Sequence, residues 1–292
     1  MDLIERISGV IIPVFLIVAI GFGYGRQRRP DLTTFNRIAL DVLAPVLVYS
    51  ALASRDFHVQ EHAVLLAAGA VLILGGGLLA WPLAHLIGAQ PRTLVPVVMF
   101  NNSGNMGLPL ALLAFGPSHF GAAVALFSVS NLLHFSLGAR ITSAHARTRE
   151  LLLSPLMIGT ALGFFSALSD VRPPADVLAG LKLLGDALLP MMLFALGVRL
   201  TSLTREGLAL GLAGALARPL LGLLIAWPLA EWLGLEGAAR GQLLLFAALP
   251  PAVMQFMLAD RYQQEPDKTA AMIMLGNALA IVFIPLALAL GM

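Results

Sequence analysis

Ten apolar stretches, near residues 8–25, 36–54, 62–88, 93–115, 119–139, 151–169, 178–198, 207–233, 240–260 and 268–290, decide what this chain can fold into. A bilayer core about 30 Å thick takes about 20 apolar residues per helix, so each stretch is sized to cross it. With 59% apolar and only 12% charged residues, the chain carries too little charge for the surface of a soluble domain of its length. The expected fold is therefore an all-α polytopic membrane protein with ten transmembrane helices. No connection is long enough for a soluble domain; the longest, around Arg140 to Glu150, is a short basic loop. The first run, Ile7 to Tyr24, is long for a signal-peptide core and lacks a small-residue cleavage site, so it reads as the first span. A net charge of +2 gives no nucleic-acid signal, and the absence of cysteine removes thiol catalysis and thiolate metal sites.

The fourth stretch is interrupted by Asn101-Asn102-Ser103-Gly104-Asn105-Met106-Gly107-Leu108-Pro109. Pro109 cannot donate to residue 105, and Gly104 and Gly107 weaken the same turns. Free backbone groups in hydrocarbon cost several kcal/mol each, roughly, so a break survives only where protein or water covers it. Broken helices with carboxamides at the break are how transporters build substrate sites. A kink or a packing notch is the structural alternative.

The chain also repeats itself. Trp81-Pro82-Leu83-Ala84 recurs as Trp227-Pro228-Leu229-Ala230, displaced by 146 positions, and Asn131 meets Asn277 at the same displacement. Arg37, Asp41 and Pro45 recur as Lys182, Asp186 and Pro190, and Pro13 and Gly21 as Pro155 and Gly163. Residues 1–146 and 147–292 thus read as two copies of a five-span unit. An odd number of spans inverts the second copy, giving a 5+5 inverted repeat of the secondary-transporter kind. The duplication demands a second break in span 9, and Leu249-Pro250-Pro251-Ala252 supplies it. Broken helices 4 and 9 are expected to cross at mid-membrane, with the site there. Twelve Lys and Arg flank the odd-numbered connections against five on the other side, which places both termini outside the cytoplasm.

Half-helices beginning at the crossing point free N–H groups and a partial positive charge inward, which suits an anionic group. Asn101, Asn102, Ser103 and Asn105 add neutral donors and acceptors, or cap the half-helices. Asn131 and Asn277 satisfy open backbone groups beside the breaks or touch the ligand. Gln255, just past Pro250 and Pro251, is read as a ligand or ion contact. In the pairs Arg37/Asp41 and Lys182/Asp186 the base precedes the acid, the weaker orientation for a helix, so Asp41 and Asp186 are candidates for gating or proton linkage. Arg218 and His134 are left without an assigned role.

Asn102-x-Gly104-Asn105-x-Gly107-Leu108-Pro109-Leu110 resembles the span-4 motif of the auxin efflux carrier family. Leu249-Pro250-x-Ala252-Val253 with Phe256-x-Leu258-Ala259-x-x-Tyr262 resembles its span 9. The resemblance covers essentially the whole chain. It implies the bile-acid/sodium symporter-like fold, with helices 1, 2, 6 and 7 as a scaffold, often dimeric, and helices 3–5 and 8–10 as a moving core. It implies elevator-type transport of organic anions in a cell membrane, here a bacterial inner membrane, with Asn102, Asn105, Pro109, Pro250 and Asn131 in or beside the site. The long loop of the plant carriers between spans 5 and 6 is absent. Met254-Gln255 resembles part of the sodium site of the bile-acid symporters, but the acidic residue expected upstream is missing, with Pro251 near its place. A proton is therefore the expected coupling ion rather than sodium, with no cofactor and no metal. The alternative function is a cation/proton antiporter of related fold, which needs acids in the core where this chain has Asn131 and Asn277. An intramembrane serine protease built on Ser103 and His134 leaves the second break unexplained.

Overall fold

The computed structural model describes residues 3–54, 57–169, 171–201 and 208–291. Arg55 and Arg205, which enter the count of basic residues, lie outside the described residues, as does Met292. The described chain is helical throughout: α1 Leu3–Arg28, α2 Thr33–Leu52, α3 Val59–Leu86, α4 Pro91–Met99, α5 Ser103–Phe115, α6 Pro117–Thr142, α7 Thr148–Leu152, α8 Pro155–Ser169, α9 Ala175–Leu200, α10 Leu208–Trp232, α11 Gly237–Ala248, α12 Val253–Arg261 and α13 Pro266–Gly291. Seven of these, α1, α2, α3, α6, α9, α10 and α13, are long and apolar enough to cross a membrane. Of the other stretches expected to span, α8 has 15 residues, and stretches four and nine are each split into two short helices, α4/α5 and α11/α12. Stretches four and nine fall short because the helix stops at Phe100–Asn102 and at Leu249–Ala252.

The first interruption is smaller than the sequence suggests. Only Phe100 to Asn102 leave the helix, with Phe100 extended at φ −106°, ψ 128°. Gly104, Gly107 and Pro109 lie inside α5, which begins as a π-helical turn over Ser103–Gly107. The wider turn absorbs the proline: the amides of Met106 and Gly107 both turn back to the Asn102 carbonyl, at 3.2 and 3.1 Å. The second interruption runs from Leu249 to Ala252, both extended. Prolines mark α2 and α9 in the same way. Pro45 follows a π turn over Ala39–Leu43, and Pro190 follows an irregular residue at Ala187. Neither proline can donate to the carbonyl four residues back, at Asp41 or Asp186.

The helices meet through small residues, as apolar helices in lipid do. α1 lies along the second half of α9, and a methyl group at Gly21 would sit 2.1 Å from the Phe194 carbonyl oxygen. One at Gly197 would sit 2.0 Å from that of Val18. α8 meets α2 through Gly163, less tightly: a methyl group there would sit 2.9 Å from Leu52 Cβ and 3.4 Å from Tyr49 Cα. Since Gly163 repeats Gly21, and Phe194 lies 145 positions beyond Tyr49, the two contacts are the same contact made twice.

Gly197→Ala should cost at least the roughly 1–3 kcal/mol of an overpacked core, because its neighbour is backbone. Gly9→Ala and Gly180→Ala, where nothing lies within 4 Å, should melt with the parent. Melting temperatures of the purified variants check this; parent-like melting of Gly197→Ala would show that α1 and α9 do not approach this closely.

Candidate functional site

The two interruptions face each other. Asn102 donates its backbone N–H to the Pro250 carbonyl at 2.8 Å, and Ala252 donates to the Phe100 carbonyl at 2.9 Å. Asn101 and Pro251 form a single antiparallel bridge, while no strand occurs among the described residues. Each break thus supplies the partners that the other lacks, the condition for leaving backbone unwound away from water. From this joint α5 and α12 depart with their first N–H groups directed back towards it.

A cavity of about 80 Å³ opens here. Asn101, Asn102, Ser103, Asn105 and Asn131 line it, and no carboxylate does. Asn102 donates through Nδ2 to Asn277 Oδ1 at 2.7 Å, bringing together two residues that lie 175 positions apart. Asn101 Nδ2 donates to the Phe246 carbonyl at 2.7 Å, while its Oδ1 is buried without a partner. Asn131 and Asn277 make the same bond in the two halves, each Nδ2 donating at 2.8 Å to the carbonyl four residues back, Phe127 and Ile273. Pro250 and Pro251 contribute backbone to the joint.

Gln255 does not line the cavity, but His134, to which it is bonded, does. Gln255 is fully buried, and both its amide atoms are engaged: His134 Nε2 donates to its Oε1 at 2.9 Å, and its Nε2 donates to Thr142 Oγ1 at 3.0 Å. The His134 ring stacks on Phe100, with centroids 4.1 Å apart, which fixes the residue at the edge of the first break. Asp41 and Asp186 are also apart from the cavity. Asp41 is exposed in a cleft with Asp260 and Arg261, and no ion pair joins it to Arg37 among the described residues. Asp186 is bonded to Lys182 at 2.5 Å beside His62 and Ser118.

The cavity wall also holds residues that the sequence reading passed over: Asn36, Ser130 and Arg199. Arg199 donates to Asn36 Oδ1 at 2.6 Å, and both residues also line a vestibule of about 970 Å³ that holds Arg26 and Arg29. They stand where the cavity and the vestibule adjoin. In the sequence they looked like the basic end of a span and an unremarked amide. The only available signal was an Asn one residue from the Arg37 of the repeated pattern.

Residues 140–288, just over half of the chain, match the model of the membrane transport protein family. The chain belongs to that family, the one its span-4 and span-9 motifs resemble. It is a multi-pass membrane transporter and not an enzyme. It is 24% identical to a putative malonate transporter of Rhizobium meliloti, over 94% of this chain and 93% of the relative. It is 22% identical to an uncharacterized transporter of Methanocaldococcus jannaschii, over 95% and 96%, and 22% identical to one of Methanothermobacter thermautotrophicus, over 94% and 95%.

Gln255→Ala would strand a buried imidazole N–H, at a cost of about 1–3 kcal/mol. It should lower the melting temperature and change ligand affinity by less than about threefold. A loss of affinity with unchanged melting would instead put Gln255 in contact with the ligand.

Proposed function

We propose that this protein is a secondary-active transporter of small organic anions, carboxylates in the first instance. The observation that carries this is the cavity at the paired breaks, walled by neutral amides and two helix starts, with no carboxylate. A helix start offers roughly half a positive charge together with free N–H groups, so such a cavity favours an anion over a cation. Arg199, with Arg26 and Arg29 in the adjoining vestibule, adds positive potential along an approach to it. The malonate named for one relative is a small dicarboxylate of this class. The exchanger alternative needs acids at this place, and the cavity has none.

The architecture we infer is ten crossings in a 5+5 inverted repeat, residues 1–146 and 147–292. Two pairs of equivalent contacts support it, the carbonyl bonds of Asn131 and Asn277 and the glycine contacts of Gly21 and Gly163. Spans 1, 2, 6 and 7 form the scaffold and the homodimer surface, and spans 3–5 and 8–10 move as an elevator carrying the paired breaks. Both termini lie outside the cytoplasm, in a bacterial inner membrane, on the strength of the basic-loop asymmetry. A proton rather than sodium is the coupling ion, with Asp41 and Asp186 as the gating or proton-linked groups.

Asn102→Ala and Asn105→Ala each remove one directed donor. Hydrogen bonds to a charged acceptor contribute roughly 1.5–3 kcal/mol, so the dissociation constant for malonate should rise about ten- to a hundredfold. Malonamide should bind the parent poorly. Calorimetric titration of monodisperse protein with both compounds tests the reading, and equal affinity for acid and amide would end it. Asp41→Asn and Asp186→Asn should fold normally and transport more slowly; a parent-like uptake rate across pH in both would leave the two aspartates a structural role only.

A further inference from the structure

Arg218 lies in the middle of α10 and is 2% exposed. No Asp, Glu, Lys or Arg among the described residues is buried as deeply. It has no carboxylate partner among them. Its guanidinium instead donates to two main-chain carbonyls, Ala247 at 3.0 Å and Phe246 at 3.1 Å. These belong to the last turn of α11, the helix that stops at the second break. The Phe246 carbonyl also accepts from Asn101, whose Oδ1 is buried without a partner.

The first half of the repeat has no charge at this place. The position 146 residues earlier is Leu72, also buried, in α3. There the repeat makes a looser helix contact with an aliphatic side chain: a methyl group at Gly76 would sit 3.6 Å from the Val98 carbonyl oxygen, and one at Gly222 would sit 2.1 Å from that of Ala247. The second half carries both the charge and the closer approach. The carbonyls at the end of a broken helix carry the negative end of its dipole, and in broken-helix transporters such carbonyls coordinate the driving cation. The carbonyl oxygens of Phe246 and Ala247 are hard donors of the kind that an alkali or alkaline-earth cation takes, and Asn101 Oδ1, on the side chain bonded to the Phe246 carbonyl, is a third donor that the guanidinium does not reach.

We propose that Arg218 is a resident cation: its guanidinium serves the two carbonyls that a metal ion would otherwise share with Asn101 Oδ1, so that the protein works without sodium or potassium. The positive charge at the second break is then permanent, and no cation has to enter or leave it during a transport cycle. The inference goes beyond the transporter reading and does not rest on its substrate class, because stability rather than transport is measured.

The test compares melting of the purified full-length parent, Arg218→Ala and Arg218→Lys in sodium, potassium and choline chloride at equal ionic strength. The parent should melt alike in all three. Arg218→Ala should melt several degrees lower in choline, and sodium or low-millimolar methylguanidinium should restore at least half of that loss. Adding Asn101→Leu to Arg218→Ala should abolish the sodium effect. A parent stabilised by sodium over choline overturns the proposal, as does an Arg218→Ala protein indifferent to both sodium and methylguanidinium, for which Arg218 is only a helix cap. Should Arg218→Ala not be recovered folded, the parent and Arg218→Lys decide: sodium must leave both unchanged, and a sodium-stabilised lysine variant overturns the proposal.

Discussion

Two backbone hydrogen bonds, Asn102 to Pro250 and Ala252 to Phe100, are what the rest of this structure depends on. An unwound segment inside an apolar helical protein leaves donors and acceptors that water does not reach. Either break alone would strand several of them, at a cost comparable to a whole domain's stability. Together the breaks satisfy one another, and this ties stretch four to stretch nine at one point. The cavity, the inward-facing helix starts and the carbonyls held by Arg218 all follow from that single joint.

The chemistry around the joint is divided by polarity. Neutral amides line the cavity, positive helix starts face it, and the deeply buried guanidinium of Arg218 sits on the negative end of a stopped helix. For the anion proposed above, amides are donors that carry no fixed countercharge. Arg199 is placed differently. It shares a wall with the basic vestibule and is held by an amide of α2 rather than by an acid. An amide restrains a guanidinium without neutralising it, which leaves its charge available.

Away from the joint the structure is built for close approach. Gly21 and Gly197 let backbones meet at distances that any side chain would prevent, and Gly163 packs less tightly on Leu52 and Tyr49. The prolines at 45 and 190 distort the turns before them, next to the aspartates at the centre of each copy of the pattern. The same local device recurs at Pro109, where a π turn keeps α5 continuous. In each case an absent N–H is accommodated by rewinding the helix rather than ending it.

Hydropathy and proline placement are local properties, and what they govern was legible in the sequence. The apolar stretches, the two interruptions and the duplicated pattern can all be read from neighbouring residues. So can the family, whose motifs are short and contiguous. The amides of the central cavity were legible for the same reason, since Asn101 to Asn105 sit at the break itself. The extent of the break was not, because whether Gly104, Gly107 and Pro109 end a helix or ride in a π turn depends on what the freed carbonyls meet. Nor could the sequence aim Gln255. One turn past a break a side chain can face either way, and Thr142 and His134 on another helix decided it. Asn36 with Arg199 and Arg218 with the end of α11 come from helices far apart in the chain. Only tertiary packing determines which buried donor reaches which acceptor, because that choice turns on distances between helices that no local pattern encodes.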